Sequence, residues 1–126
     1  MFTPTGTMAN VLAVGVHCAH GEEVITGSAS HLFNYEAGRV STLLGVPLHP
    51  ILNQDDGTLA LPDVAARRHA LRLRAPGGHR ADAEPVRRAR AATGPPAYLG
   101  QLSRFCRQYN LQLHMDGARW PPRSTR

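Results

Sequence analysis

No lysine occurs anywhere in these 126 residues; all fourteen basic side chains are arginine. Arginine cannot stand in for an amine nucleophile, because its guanidinium stays protonated at any working pH. Cysteine is nearly as scarce. Cys18 and Cys106 are too few for a disulfide framework and read as ordinary cytosolic thiols. No apolar run approaches the ~20 residues of a membrane span. The opening Met1-Phe2-Thr3-Pro4-Thr5 has neither the basic region nor the apolar core of a secretory signal. The expected location is therefore the cytoplasm, with no membrane partner. Aromatic residues are absent from 67–94, as is isoleucine, and that stretch holds a single valine. It shows no sustained period of 2 or 3.6, so no element can be assigned to it.

What is present fits one globular domain with a modest core: 42% hydrophobic residues and a mean hydropathy of −0.27. The net charge is +5, and eight arginines crowd between positions 67 and 90. Such a cluster supplies salt-dependent affinity for phosphate polymers. Without interleaved aromatics or a recognisable reading element, it points to nonspecific polyanion adhesion and not to specific nucleic-acid binding.

The element pattern alternates helix and strand. Thr3-Pro4-Thr5-Gly6-Thr7 is a turn that ends in good helix-capping residues. It predicts a helix over 8–19 whose Met8, Val11, Leu12, Val14 and Val16 leave almost no polar face, as in a helix covered on most sides. His17 and His20 fall in its last turn, and Gly21 stops it. His17, Cys18 and His20 share one helical turn and lack a fourth ligand, so no metal site is read there. A strand over 22–27 follows, then a helix over 32–44 broken near Gly38. The next strand, 46–52, is pushed to a sheet edge by Pro47 and Pro50. Asn53-Gln54-Asp55-Asp56-Gly57 is a turn, and a third helix opens at Asp63. After 67–94, Pro96 starts a helix with an apolar stripe of Leu99, Leu102, Cys106 and Tyr109. Asn110 closes it.

The stretch Leu111-Gln112-Leu113-His114-Met115-Asp116-Gly117-Ala118-Arg119 organises the rest. Leu111, Leu113 and Met115 alternate with polar residues, the pattern of a strand with one face in a core. Asp116 then sits at the strand's carboxyl end, where open α/β sheets bind ligands. An acid and an arginine at one strand mouth can grip a ligand that carries both a basic nitrogen and an anion.

Three separated stretches together resemble the threonine aldolase family. Thr3-Pro4-Thr5-Gly6-Thr7-Met8-Ala9-Asn10 resembles its phosphate-binding loop. Gly27-Ser28-Ala29-Ser30-His31 with Tyr35-Glu36-Ala37-Gly38 resembles its ring-stacking histidine segment. Pro95-Pro96-Ala97-Tyr98-Leu99 through His114-Met115-Asp116-Gly117-Ala118-Arg119 resembles the helix and strand that carry its cofactor-binding acid. Asp55-Asp56-Gly57-Thr58-Leu59 matches the linker between them. The resemblance covers roughly 2–66 and 95–119.

The resemblance implies an α/β fold: part of the large cofactor-binding domain of the aminotransferase-like enzymes, a mostly parallel sheet in three α/β/α layers. It implies pyridoxal 5′-phosphate (PLP) as cofactor, a β-hydroxy-α-amino acid such as threonine as substrate, and glycine and an aldehyde as products. Carried over by position, Gly6 and Thr7 meet the phosphate. His31 stacks on the pyridine ring near the substrate hydroxyl, and Asp116 pairs with the ring nitrogen. Arg119 holds the substrate carboxylate or helps hold the phosphate, and Glu36 supports the site. Full-length members are homo-oligomers whose site spans a subunit interface.

Two departures stand out. The family's Schiff-base lysine lies about thirty residues beyond the acid, whereas this sequence ends ten residues after Asp116. The chain by itself is accordingly expected to be inactive. The family's second-histidine segment is also missing from 67–94, where His69 and His79 lack its context. That stretch and the tail 120–126 read as an atypical arginine-rich insert or as misframed segments within an otherwise aldolase-like domain over 1–119. The rival reading is a non-catalytic remnant that binds polyanions.

Overall fold

The computed structural model describes residues 2–72, 88–90 and 96–116. Its core is a four-stranded, wholly parallel sheet in the order β2-β1-β3-β4. The strands are β1 (Val24–Gly27), β2 (Leu48–Ile51), β3 (Arg88–Arg90) and β4 (Gln112–His114). The helices are α1 (Gly6–His17), α2 (His31–Asn34), α3 (Arg39–Leu44), α4 (Leu61–Arg72) and α5 (Pro96–Gln108).

Two adjacent residues of β1 show how the layers form. Side chains alternate across a strand, and Val24 and Ile25 enter different cores. Val24 packs with Val14 of α1, Leu32 of α2 and Val40 of α3. Ile25 packs with Val64 of α4 and Leu102 and Cys106 of α5. Helices therefore cover both faces of the sheet, the three-layer α/β/α arrangement that the family resemblance implied.

Local chemistry accounts for most boundaries. Thr5 caps α1 with an extended backbone and accepts the Met8 N–H on its hydroxyl at 3.1 Å. The anticipated helix over 32–44 is two helices, α2 and α3. Ala37 and Gly38 separate them, both in the left-handed region at φ 51° and 63°. β2 is an edge strand among the described residues, which suits Pro50 inside it. Asn110, at φ 51°, turns the chain after α5, and the Leu111 N–H bonds the Cys106 carbonyl at 2.7 Å. Tyr98 of α5 ties the segment before α4 to α5 on one face of the sheet: its hydroxyl accepts the Leu59 N–H at 3.0 Å and donates to the Leu59 carbonyl at 2.9 Å.

Four expectations need correction. α1 ends at His17, so His20 lies beyond the helix and not in its last turn. Nor is α1 covered on most sides, because Val16 is 81% exposed and Met8 45%. Among the described residues its buried positions are Asn10 and Val14, with Val11 packed beside them against the cluster of the sheet and α3. Met115 is not a core residue: the strand ends at His114 and alternation stops with it. Finally, 67–94 contains structure that no periodicity announced. α4 runs on to Arg72, and Arg88–Arg90 pairs with β1 on one side and β4 on the other.

The strand order places a topological switch between β1 and β3: the chain leaves β1 for β2 on one side, then crosses back to β3 on the other. Ligands of open α/β sheets bind at the carboxyl ends of the strands flanking such a point. His31 follows β1 by four residues and Asp116 follows β4 by two.

Candidate functional site

The amide of Asn10 brings the separated stretches together. Asn10 lies on α1 and is 4% exposed. Its Nδ2 donates to Glu36 Oε1 at 2.6 Å and to Asp116 Oδ2 at 3.3 Å. Its Oδ1 accepts from His114 Nε2 at 3.2 Å. Glu36, 1% exposed, also accepts from His31 Nδ1 at 3.1 Å on the same Oε1. One connected network thus joins His31, Glu36, Asn10, Asp116 and His114, drawn from α1, the α2–α3 region and the end of β4.

Each member is set in place by its own local structure. His31 opens α2, whose cap Ser30 accepts the Phe33 N–H at 3.3 Å and meets buried Thr26 of β1 at 2.7 Å. The imidazole is half exposed and lies against Tyr35, with centroids 5.3 Å apart and planes tilted by 41°. Glu36 sits in the break between α2 and α3 and turns inward from it. Asp116 extends past β4 and is partly buried.

The hydrogen bonds also fix protons. With Glu36 as acceptor, His31 carries hydrogen on Nδ1, so its neutral form keeps the Nε2 lone pair for chemistry. Asn10 has one orientation compatible with its neighbours, because reversing the amide would set its carbonyl oxygen against two carboxylates. His114 must then carry hydrogen on Nε2.

At the start of α1, Thr5 Oγ1 takes the Met8 N–H and the Thr5 carbonyl takes the Ala9 N–H at 3.1 Å. The Gly6 and Thr7 N–H groups have no partner within the helix, and the first turn holds no acid. Space around Gly6 is open: a Cβ built there meets nothing within 4 Å. Free N–H groups at the positive end of a twelve-residue helix suit an anion.

Of the residues anticipated from sequence, Gly6, Thr7, His31 and Asp116 lie on elements that the Asn10 network connects, with Glu36 inside it. Arg119 lies outside the described residues. Asn10 and His114 were not singled out. An asparagine on a helix with almost no polar face was the available signal, since a buried amide requires partners. The described residues contain no group of three or more histidine, cysteine or acidic side chains able to hold a metal ion.

The described residues present here an imidazole, a carboxylate held by an amide and, at the start of α1, N–H groups with no partner within the helix. The model of the beta-eliminating lyases matches residues 1–121. The chain belongs to the beta-eliminating lyase family. Within this family it is 38% identical over 122 residues to the low specificity L-threonine aldolase of Escherichia coli K12, and 36% identical over 128 residues to the probable low-specificity L-threonine aldolase 2 of Arabidopsis thaliana. Each alignment covers 94% of this chain and 35% of the relative, so the chain spans about a third of the curated relatives it matches. Its fold matches the Leishmania major threonine aldolase structure with a TM-score of 0.64 at 19% identity, covering 87% of this chain and 32% of that one. This beta-eliminating lyase chain is thus a partial threonine aldolase-family chain, and the match runs through 67–94. No helix among its described residues is long and apolar enough to cross a membrane.

Proposed function

We propose that the Asn10-centred cluster is the cofactor cup of a PLP-dependent lyase that cleaves β-hydroxy-α-amino acids, threonine among them, to glycine and an aldehyde. The observation that carries this reading is that Asp116 bonds the buried Asn10 amide directly and His31 joins the same amide through Glu36, at the carboxyl ends of the strands. Threonine aldolase names among the relatives support the reaction class.

The residues present fit PLP. The Gly6 and Thr7 N–H groups would bind its phosphate, helped by the positive end of α1. His31 would stack on the ring, and the Asp116 carboxylate would hold a proton on the pyridine nitrogen. PLP, when bound, supplies an electron sink for the carbon–carbon cleavage. In the neutral ring, His31 Nε2, left unprotonated by the Nδ1–Glu36 bond, would take a proton from a substrate hydroxyl or return it. Arg119 would hold the substrate carboxylate or assist the phosphate through its planar fork. The enzyme would work in the cytoplasm as a homo-oligomer. No lysine exists among these 126 residues to anchor the cofactor covalently. The chain alone is therefore expected to dock PLP reversibly and to leave threonine unchanged.

Equilibrium dialysis of the chain against PLP, and against pyridoxal without the phosphate, tests the reading. Saturable PLP binding, at least tenfold tighter than pyridoxal binding, is expected from the helix-terminus contacts. Equal affinity for the two, or none for either, contradicts it.

A further inference from the structure

We propose that Asn10 is a positioning residue, setting both the tautomer of His31 and the orientation of Asp116 through its one amide. The proposal rests on the cofactor reading for its consequence but not for its geometry. Asn10 is buried and uses both amide hydrogens on carboxylates, Glu36 Oε1 at 2.6 Å and Asp116 Oδ2 at 3.3 Å. Two acidic side chains that would otherwise repel are thereby bridged by one uncharged group. The carbonyl end accepts from His114 at 3.2 Å, which ties the same amide to β4.

This arrangement does more than fill space. Glu36 Oε1 receives two donors, Asn10 and His31. Glu36 Oε2 is buried with no hydrogen-bond partner among the described residues. The carboxylate is therefore oriented by Oε1 alone, so losing the Asn10 donor frees it to rotate away from His31. Loss of the same amide also withdraws a donor from Asp116. One buried, uncharged side chain thus governs the proton-carrying atom of one group and the aim of another.

Long-range proton–nitrogen spectra of the cofactor-free chain provide the test, with unfolding midpoints measured alongside. Unmodified chain should show His31 protonated on Nδ1 and His114 on Nε2. In Asn10→Asp, which keeps the shape and loses both donors, the His31 preference should collapse and the His114 signal should shift. PLP affinity should fall about ten- to a hundredfold, the scale of hydrogen bonds to charged groups. Glu36→Gln retains an acceptor and should preserve the His31 tautomer. A chain whose His31 carries its proton on Nε2 overturns the proposal without any variant. So does Asn10→Asp that is less stable but keeps both tautomers, since that outcome marks a purely structural asparagine. The tautomers are read without PLP, so their failure is distinct from a failure of the chain to bind the cofactor.

Discussion

Replacing Tyr98 by phenylalanine removes one oxygen and leaves the ring, so it isolates a polar contact without opening a cavity. The hydroxyl both accepts from and donates to the backbone of Leu59, at 3.0 and 2.9 Å. Leu59 is fully buried in the cluster that α4 and α5 share, so both of its backbone groups lose their protein partner in the variant. A typical hydrogen bond contributes about 1 kcal/mol net, and a buried group left unpaired costs about 1–3 kcal/mol. Tyr98 is itself only partly buried, and water reaching the vacated position offsets part of the loss, which places the expected cost near 2 kcal/mol. Urea unfolding reads it directly. With an m-value of about 2 kcal/mol/M, the midpoint should fall by about 1 M while m stays constant. A midpoint shift below about 0.2 M would refute the view that Tyr98 clamps the 53–59 loop to α5. A changed m would mean that the unfolded or native ensemble had altered instead.

Two pH-dependent outcomes follow from buried or bonded groups. Burial pushes the Cys106 thiol up from 9.0 to about 11. The native state therefore holds that proton more tightly, and its contribution, intact below pH 9, is lost as pH rises toward 11. The loss should be on the order of 2–3 kcal/mol, seen as a slope in unfolding free energy that Cys106→Ala lacks. Asp56 behaves oppositely: the Thr58 hydroxyl, at 2.6 Å, and then the Thr58 N–H, at 3.0 Å, hold its carboxyl below the usual 3.8. Its stabilising effect on the loop is present above 3.8 and lost as pH falls through the lower native value. Carboxyl carbon NMR should place the Asp56 midpoint below 3.8, and Thr58→Val should move it back up.

The parts of the fold legible in the sequence were those governed by local chemistry. The capping turn before α1, Asn110 as a helix terminator and the α5 stripe each depend on residues within a turn or two, although α1 starts at Gly6, two residues earlier than the expected Met8. Pro47 and Pro50 marked β2 as an edge because proline cannot donate to a second neighbour. β3 was hidden because three residues cannot display a period, and its partners lie in β1 and β4. The exposure of Val16 was equally unreadable, since an apolar helix does not say which of its sides the remaining elements reach. In the site, the strand pattern indicated Asp116 and the family resemblance indicated His31, but the asparagine that connects them figured only as the last residue of the Thr3–Asn10 stretch. Only folding brings residues 10, 36 and 116 within one amide's reach.

In the proposed function, Asp116 would keep the PLP ring nitrogen protonated. Nitrogen NMR of ¹⁵N-labelled PLP bound to the chain tests that claim most directly. At a pH where free PLP has lost its ring proton, the account predicts a protonated pyridine nitrogen in the unmodified chain and a deprotonated one in Asp116→Ala. A bound ring whose nitrogen shows the same protonation state in both would contradict the account.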